Sequence, residues 1–331
     1  MGLLRRFDPF TLALVATIAL ASLLPVSGDA AAVMRTVTNV AIGIMFFLYG
    51  ARLSRQAVVE GMAHWRLHLT VFASTYVLFP ILGVVLSLVT PSLLPRELAV
   101  GVLFLTTLPS TVQSSIAFTS IAGGNVAAAI CSASISNLAG ILVTPLLVGL
   151  VMQGTGAVGF SLHAVETIAL QLFLPFVLGQ VLQPWLGAWA LRHKTTLGLT
   201  DRGSILLVVY LAFSEAISQG LWETLAPLDL VVLLGVSALL LTAVLVITTL
   251  VARRSGFSRE DEITIVFCGS KKSLATGVPM ANVLFAGGPV GTIVLPLMVF
   301  HQLQLMVCAA LARRYAARGR TTPNDPLGSA P

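Results

Sequence analysis

Long apolar stretches separated by short polar ones decide what this chain can fold into. A helix needs about 20 apolar residues to cross the hydrocarbon of a bilayer. The sequence contains ten stretches of that kind, at residues 9–27, 37–54, 67–89, 97–121, 125–151, 165–186, 203–221, 228–251, 262–286 and 290–312. Only 10% of the residues are charged, against about 25% in soluble domains. We therefore predict an all-α polytopic membrane protein with ten transmembrane helices.

The positions of arginine and lysine support this topology. Cytoplasmic loops of membrane proteins carry an excess of basic residues. With a cytoplasmic amino terminus, the outer segments contain only Arg35 and Arg96, and Lys271 and Lys272 lie inside the ninth stretch. Every other one of the 19 basic residues then falls on the cytoplasmic side. We predict that both termini are cytoplasmic and that lipid surrounds the protein.

Several other classes of protein are disfavoured. The net charge of +6 is spread between apolar runs instead of forming a patch, so we expect no nucleic-acid partner. The sequence lacks a P-loop, an HExxH motif and a Gly-x-Ser-x-Gly elbow, so we do not expect an enzyme. The best enzymatic alternative is a Ser-Lys dyad at Ser270 or Ser273. Residues 1–320 are predicted to form one domain, and the polar tail at 321–331 is predicted to be disordered.

Two adjacent lysines, Lys271 and Lys272, lie in the middle of the ninth apolar stretch. A charge at bilayer depth costs about 3 kcal/mol on insertion scales. Neighbouring glycines and Pro279 favour a helix that is broken at this depth. In secondary transporters, broken helices carry the binding site. We predict a substrate site at the lysine pair, with hydrogen bonds from Ser270 and Ser273.

The fourth stretch contains a similar interruption. Counted back from the glycine pairs that end the two stretches, residues 108–110 align with residues 272–274. The stretches divide into two sets of five, at about 9–151 and 165–312, and a repeat with an odd number of spans inserts in the opposite sense. We predict two inverted five-helix repeats with broken fourth and ninth helices. The fourth stretch adds three residues to the predicted substrate site: Ser110, Thr111 and Gln113.

The motif FCGSKKSLATGVPM at 267–280 resembles the bile acid:sodium symporter family, in its divergent SBF-like branch. Supporting similarities are FFLYG at 46–50 and LPSTVQSS at 108–115, and the resemblance covers nearly all of 1–320. It implies a panel of spans one, two, six and seven that faces a core of the other spans, in which spans four and nine cross where they unwind. It also implies a secondary transporter of a bacterial inner membrane with a small organic anion as substrate. Bile acids themselves are not expected, because this branch is not known for them.

Sodium-coupled members of that family hold sodium with two groups of ligands. The resemblance implies four candidate ligands here: Ser114, Ser115, Ser134 and Asn137. In the second group, the family's glutamate and glutamine positions are Phe267 and Lys271 in this sequence. Because a fixed ammonium repels Na⁺, we expect Lys271, Lys272 or both to replace a coupling cation and to attract an anion. Coupling to Na⁺, coupling to H⁺ through the lysine amines, and uncoupled movement stay open, and we expect no other cofactor.

Two more titratable residues lie inside predicted spans. Glu215, in span seven, is interpreted as a salt-bridge partner of a lysine or a proton carrier, and the alternative is a position near the outer interface. His301, in span ten, either belongs to the site or is bonded to a neighbouring helix. The competing class of function is a non-transporting or channel-like membrane protein that affects ion homeostasis. The sequence does not predict an oligomeric state.

Overall fold

The computed structural model describes residues 9–52, 64–152, 169–218 and 220–320, and nearly all of them are helical. We number the helices in chain order: α1 Pro9–Leu23, α2 Gly28–Arg52, α3 Trp65–Ser87, α4 Arg96–Thr107, α5 Gln113–Ala122, α6 Val126–Val151, α7 Leu174–Arg192, α8 Lys194–Ser218, α9 Pro227–Arg254, α10 Arg259–Gly269, α11 Leu274–Leu284 and α12 Val290–Arg320. Single helical turns at Thr90–Leu93 and Leu221–Thr224 lie in two of the connections. No β-strand occurs within these ranges.

Among the described residues, seven helices are long and apolar enough to cross a membrane: α2, α3, α6, α7, α8, α9 and α12. Large apolar side chains such as Val84, Leu146 and Val231 are exposed on their outer faces, as expected for contact with lipid. The prediction of an all-α multi-pass membrane protein is confirmed. The full set of ten spans further requires α1 and the two broken pairs, α4–α5 and α10–α11, to cross, and this stays a prediction together with the inverted repeats and the domain limits. The tail at 321–331 lies outside the described residues.

Several helices are longer than the apolar stretches that predicted them. Helix α2 begins at Gly28 and not at 37, α8 begins at Lys194 and not at 203, and α12 ends at Arg320 and not at 312. A helix can continue past the hydrocarbon, where polar side chains are solvated, so apolarity marks only its central part. The predicted start of span six, at 165, lies outside the described residues.

Helices α1, α2, α7 and α8 form the panel. Helix α2 packs along α7, and α8 packs against both α1 and α2. Glycines allow α2 and α7 to approach very closely: a Cβ atom built on Gly50 would lie 2.1 Å from the Phe176 carbonyl oxygen, and one on Gly179 would lie 1.9 Å from that of Phe47. Small residues at such positions are the usual means of close helix packing in membranes.

Two ion pairs connect α2 with α8 near opposite ends of these helices. Arg52 makes a bidentate contact to Asp201, with N–O distances of 2.6 and 3.3 Å, and the Asp201 side chain is only 7% exposed. Arg35 lies 2.6 Å from Glu215, where the two side chains are 58% and 27% exposed. The buried pair contributes more to holding the panel together, because water screens the exposed one.

The remaining described helices form the core. Helix α12 packs on α4, α5 and α9, and α10 packs on α3, α5, α6 and α9. At one end, Glu262 accepts hydrogen bonds from Arg253 and from the Tyr315 hydroxyl, which connects α9, α10 and α12. The panel contacts this core through α8, which packs against α11 and α12. Panel and core thus follow the division of spans that the resemblance implied.

Candidate functional site

The broken helices α4–α5 and α10–α11 meet at their interruptions. Helix α4 ends at Thr107, and Leu108 is extended (φ −75°, ψ 157°), because the following Pro109 disfavours helical backbone at the residue before it. Helix α10 ends at Gly269, and Ser273 is extended before α11 begins. The Ser273 backbone N–H donates a hydrogen bond of 2.9 Å to the Pro109 carbonyl. The predicted breaks are therefore present and lie in contact.

Serine hydroxyls of the fourth-span break donate hydrogen bonds to the last carbonyls of helix α10. The last carbonyls of a helix have no partner within the helix. The Ser110 hydroxyl donates to the Cys268 carbonyl at 2.5 Å, and the Ser115 hydroxyl donates to the Phe267 carbonyl at 3.0 Å. Both serines are fully buried. Ser110 and Ser115 thus hold the two breaks together.

The other polar residues of the breaks have local roles. The Thr111 hydroxyl lies 2.6 Å from the Ser114 hydroxyl and 3.1 Å from that of Ser115. Gln113 begins α5 and is exposed. The Ser273 hydroxyl accepts a hydrogen bond of 3.3 Å from the backbone N–H of the third residue of α11 and caps that helix.

Lys272 donates to three backbone carbonyls. Its Nζ lies 2.8 Å from the Thr75 oxygen, 2.8 Å from the Thr106 oxygen and 2.6 Å from the Leu108 oxygen. It also lies 4.1 Å from the centre of the Phe79 ring, a cation–π distance. The side chain is fully buried, and these contacts use all three donors of the ammonium.

The three carbonyls are available as hydrogen-bond acceptors because the helical hydrogen bonding is interrupted at each of them. Thr106 and Leu108 are at the end of α4, where carbonyls lack helical partners and the helix dipole is negative. Thr75 lies in the π-helical segment Ser74–Leu78 within α3. Such segments disturb the regular hydrogen bonding of an α-helix and are frequent at functional sites. The sequence did not indicate this segment.

Gln304 of α12 stabilises the unwound peptide at Lys272. Its Oε1 accepts from the Lys272 N–H at 2.9 Å, and its Nε2 donates to the Lys272 carbonyl at 2.9 Å. His301 Nδ1 lies 3.0 Å from the same Nε2 and 3.4 Å from that carbonyl. His301, on α12, therefore contacts the break in the neighbouring broken helix. This agrees with the interpretation in which His301 is bonded to a neighbouring helix. Gln304 was absent from the predicted site. An amide inside the apolar stretch that follows the broken helix could have indicated it.

Lys271 occupies a different environment from its neighbour. Its Nζ donates to the Ser114 carbonyl at 2.8 Å and lies 4.0 Å from the Phe118 ring centre and 5.5 Å from that of Phe267. The side chain is fully buried, and no described carboxylate lies within ion-pair distance. The adjacent Ser270 hydroxyl is buried without a nitrogen or oxygen partner among the described residues. Lys271 therefore keeps two N–H donors for a further acceptor.

The structure does not bring Glu215 to either lysine. Its carboxylate contacts Arg35 within the panel, near the end of α8. This position agrees with the alternative interpretation, in which span seven begins early and Glu215 lies near a membrane interface.

The four candidate sodium ligands are divided between two helices. On α5, the Ser114 carbonyl already accepts the Lys271 ammonium, and the Ser115 hydroxyl donates to a backbone carbonyl. On α6, Ser134 and Asn137 are half-buried, and the Asn137 Oδ1 has no partner among the described residues. A cation at Ser114 would have to compete with the ammonium for the same oxygen, so these residues fit Na⁺ poorly.

Two interrupted helices that meet at buried charges in an all-helical multi-pass membrane protein are a feature shared by many transporters. The chain is a member of the SBF-like CPA transporter family, whose sequence model matches residues 8–317. This confirms the predicted family, and the protein is a membrane transporter and not an enzyme.

Relatives cover almost the whole chain. It is 60% identical to PA2026 of Pseudomonas aeruginosa, over 94% of this chain and 93% of that protein. It is 56% identical to the Escherichia coli protein named "Putative symporter YfeH", over 95% of each. It is 29% identical to the sodium/bile acid cotransporter 7 of Rattus norvegicus, over 92% of each.

Proposed function

We propose that this protein is a secondary active transporter that moves a small organic anion across a bacterial inner membrane by alternating access. The observation that carries the proposal is the Lys271 ammonium, which is fully buried between two broken helices with one backbone acceptor. Its other contacts are the Phe118 and Phe267 rings, and burying a charge without a carboxylate partner is unfavourable. An anion that binds there would relieve this cost, and a cation would increase it.

The surroundings of Lys271 suit a small anion with several oxygens. The ammonium offers two further donors, and the buried Ser270 hydroxyl beside it has only the Cys308 sulfur as a partner among the described residues. The amino-terminal ends of α5 and α11 lie at the two breaks, and helix amino termini favour negative charge. A carboxylate, sulfonate or phosphate group has the charge and the acceptor oxygens to bind these donors in place of their present weak partners, the Phe118 ring and the Cys308 sulfur. Ser110, Thr111 and Ser273 support the site by fixing the breaks.

Alternating access requires two units that move against each other, and the contacts favour panel and core as those units. The ion pairs Arg52–Asp201 and Arg35–Glu215 lie within the panel, and the Arg253–Glu262 pair lies within the core. Between the units, α8 meets α11 and α12 closely, and a long hydrogen bond of 3.5 Å joins Asn282 to Asn39. Among the described residues the ion pairs lie inside the units and not between them, which suits a rigid-body shift.

The arrangement in the membrane is part of the same proposal. Ten spans in two inverted repeats, with both termini in the cytoplasm, would place the two breaks at similar depth near the bilayer centre. Gly123 and Gly287, which follow the second halves of the two broken pairs, both have positive φ (75° and 81°). Similar turns at matching places support a repeat.

The first experiment is a thermal-shift screen of the purified protein against carboxylates, sulfonates and phosphates. An anion at about one hundred times its dissociation constant stabilises by about 2.7 kcal/mol, which corresponds to a Tm increase of roughly 5 °C. We expect Lys271→Met to lose this shift and Lys271→Arg, which keeps the charge, to retain part of it. A shift that persists unchanged in Lys271→Met would contradict the role of Lys271.

The second experiment separates a carrier from the channel-like alternative. The anion that stabilises the protein most is radiolabelled and offered to proteoliposomes loaded with unlabelled anion. Alternating access predicts counterflow, in which internal substrate accelerates uptake. A conductance without counterflow would favour the channel-like function. Imposed Na⁺ or H⁺ gradients in the same vesicles test the coupling ion.

A further inference from the structure

The Lys272 ammonium lies at a point where carbonyl oxygens of two helices converge. Two of the oxygens belong to the end of α4 and the third to the π-helical segment of α3, and all lie 2.6–2.8 Å from Nζ. The fourth side is covered by the face of Phe79 at 4.1 Å. Backbone carbonyls can replace the hydration shell of a monovalent cation, and an aromatic face attracts one. The arrangement is that of a cation site.

The charge of Lys272 is balanced by dipoles and not by a carboxylate among the described residues. The negative end of the α4 dipole lies at the Thr106 and Leu108 carbonyls. Without a cation, these carbonyls and that of Thr75 would be buried and unsatisfied, each at a cost of about 1–3 kcal/mol. The backbone geometry at this crossing therefore needs three donors at one point, which an ammonium supplies.

We propose that Lys272 acts as a tethered monovalent cation: its ammonium permanently fills a carbonyl site that would otherwise bind a free cation. Because the ammonium is part of the chain, this site neither takes up nor releases an ion during a transport cycle. It follows that no coupling ion is required here. The two adjacent lysines thus have different roles: Lys272 stabilises the crossing, and Lys271 keeps donors for a ligand.

The test removes the tether and asks whether a free cation returns. Lys272→Ala deletes the side-chain atoms beyond Cβ, and propylammonium contains the same three carbons and ammonium group. Thermal unfolding of the purified variant is measured in equal concentrations of propylammonium, Na⁺, K⁺ and choline chlorides. We expect Lys272→Ala to lose about 10 °C in Tm in choline, and propylammonium to restore about 5 °C of it. Choline, which is too bulky for the site, controls for ionic strength.

Two further variants make the result specific. Lys271→Ala removes the same side-chain atoms at the preceding residue, whose ammonium binds only one carbonyl. Propylammonium and choline should therefore give the same Tm for this variant. Lys272→Met keeps the volume filled but removes the donors, so its Tm should fall and should not respond to propylammonium. Equal effects of propylammonium and choline on Lys272→Ala would overturn the proposal, as would an equal propylammonium response in Lys271→Ala.

A variant that does not survive purification still decides the question. Recovery of monodisperse Lys272→Ala in propylammonium but not in choline supports the tethered cation. If neither salt recovers it, Lys272→Met decides: a wild-type Tm refutes the proposal, and a fall of about 5 °C or more supports it. The inference concerns the ion and not the substrate, so it can fail in this assay while anion binding at Lys271 persists.

Discussion

Helices α2 and α7 of the panel approach each other most closely at Gly179, and this contact leads to a prediction about the stability of a Gly179 variant. A Cβ atom at Gly179 would lie 1.9 Å from the Phe47 carbonyl oxygen, 2.9 Å from its carbon and 3.0 Å from the Ala51 nitrogen. All three are backbone atoms, so no side-chain rotation can relieve the contact. Gly179→Ala therefore requires α7 to move away from α2. Gly43→Ala is the matched control, because nothing lies within 4 Å of its Cβ position on α2.

The magnitude follows from the separation. Restoring a normal contact at Gly179 requires a shift of about 1 Å or more, and such a gap forfeits a quarter to a half of each dispersion contact across the interface. Overpacking usually costs about 1–3 kcal/mol, and we expect the upper end or more here because the obstacle is backbone. For a chain of this size, about 3 kcal/mol corresponds to a Tm decrease of roughly 6 °C. Gly43→Ala should leave Tm unchanged or raise it slightly, because alanine favours the helix.

The assay is thermal unfolding in detergent, with size-exclusion profiles of both variants as a check on folding. Gly179→Ala should unfold at lower temperature than Gly43→Ala, and transport should decrease if the panel moves as one unit. Equal Tm values for the two variants would show that α2 and α7 are not packed as closely as described, and would refute the argument.

The remaining predictions concern buried polar contacts. Arg52→Ala should destabilise the protein by about 3–5 kcal/mol, measured by thermal unfolding, because it leaves the Asp201 carboxylate buried and unpaired. Glu215→Gln, which removes only the exposed pair with Arg35, should cost less than about 1 kcal/mol, and an equal loss in both variants would contradict the difference in burial. Gln304→Leu should cost about 2–5 kcal/mol, because it leaves one N–H and one carbonyl of the ninth-span break unsatisfied. A wild-type Tm in that variant would show that another group replaces the amide.

The contacts of the two lysines bear on the coupling ion, which stays a prediction. The carbonyls at the crossing bind two ammonium groups, through one contact from Lys271 and three from Lys272. A sodium-coupled mechanism would need a further cation site beside these charges, where like charges repel. Uptake driven by an imposed Na⁺ gradient therefore tests both lysine assignments at once.

Much of the fold could be predicted because hydropathy is a local property. Each apolar stretch coincides with a described helix or broken pair, and the breaks occur at Leu108, before Pro109, and directly after Gly269. The errors are at the ends of helices, where polar residues continue the helix beyond the hydrocarbon. The π-helical segment at Ser74–Leu78 could not be predicted, because its residues have no turn signal of their own.

The sequence by itself indicated two cations at a broken helix of a membrane protein, because the apolar stretch, the lysine pair and the neighbouring glycines and proline are all local features of the chain. Only the tertiary structure decided what each lysine binds. The three carbonyl partners of Lys272 lie 164 to 197 positions away in the chain, and Lys271 points to the Ser114 carbonyl and the Phe118 ring instead. Successive side chains point in different directions, and hydrogen bonds act only over about 3 Å. Adjacent lysines with the same chemistry therefore received different environments, which their order in the chain could not distinguish.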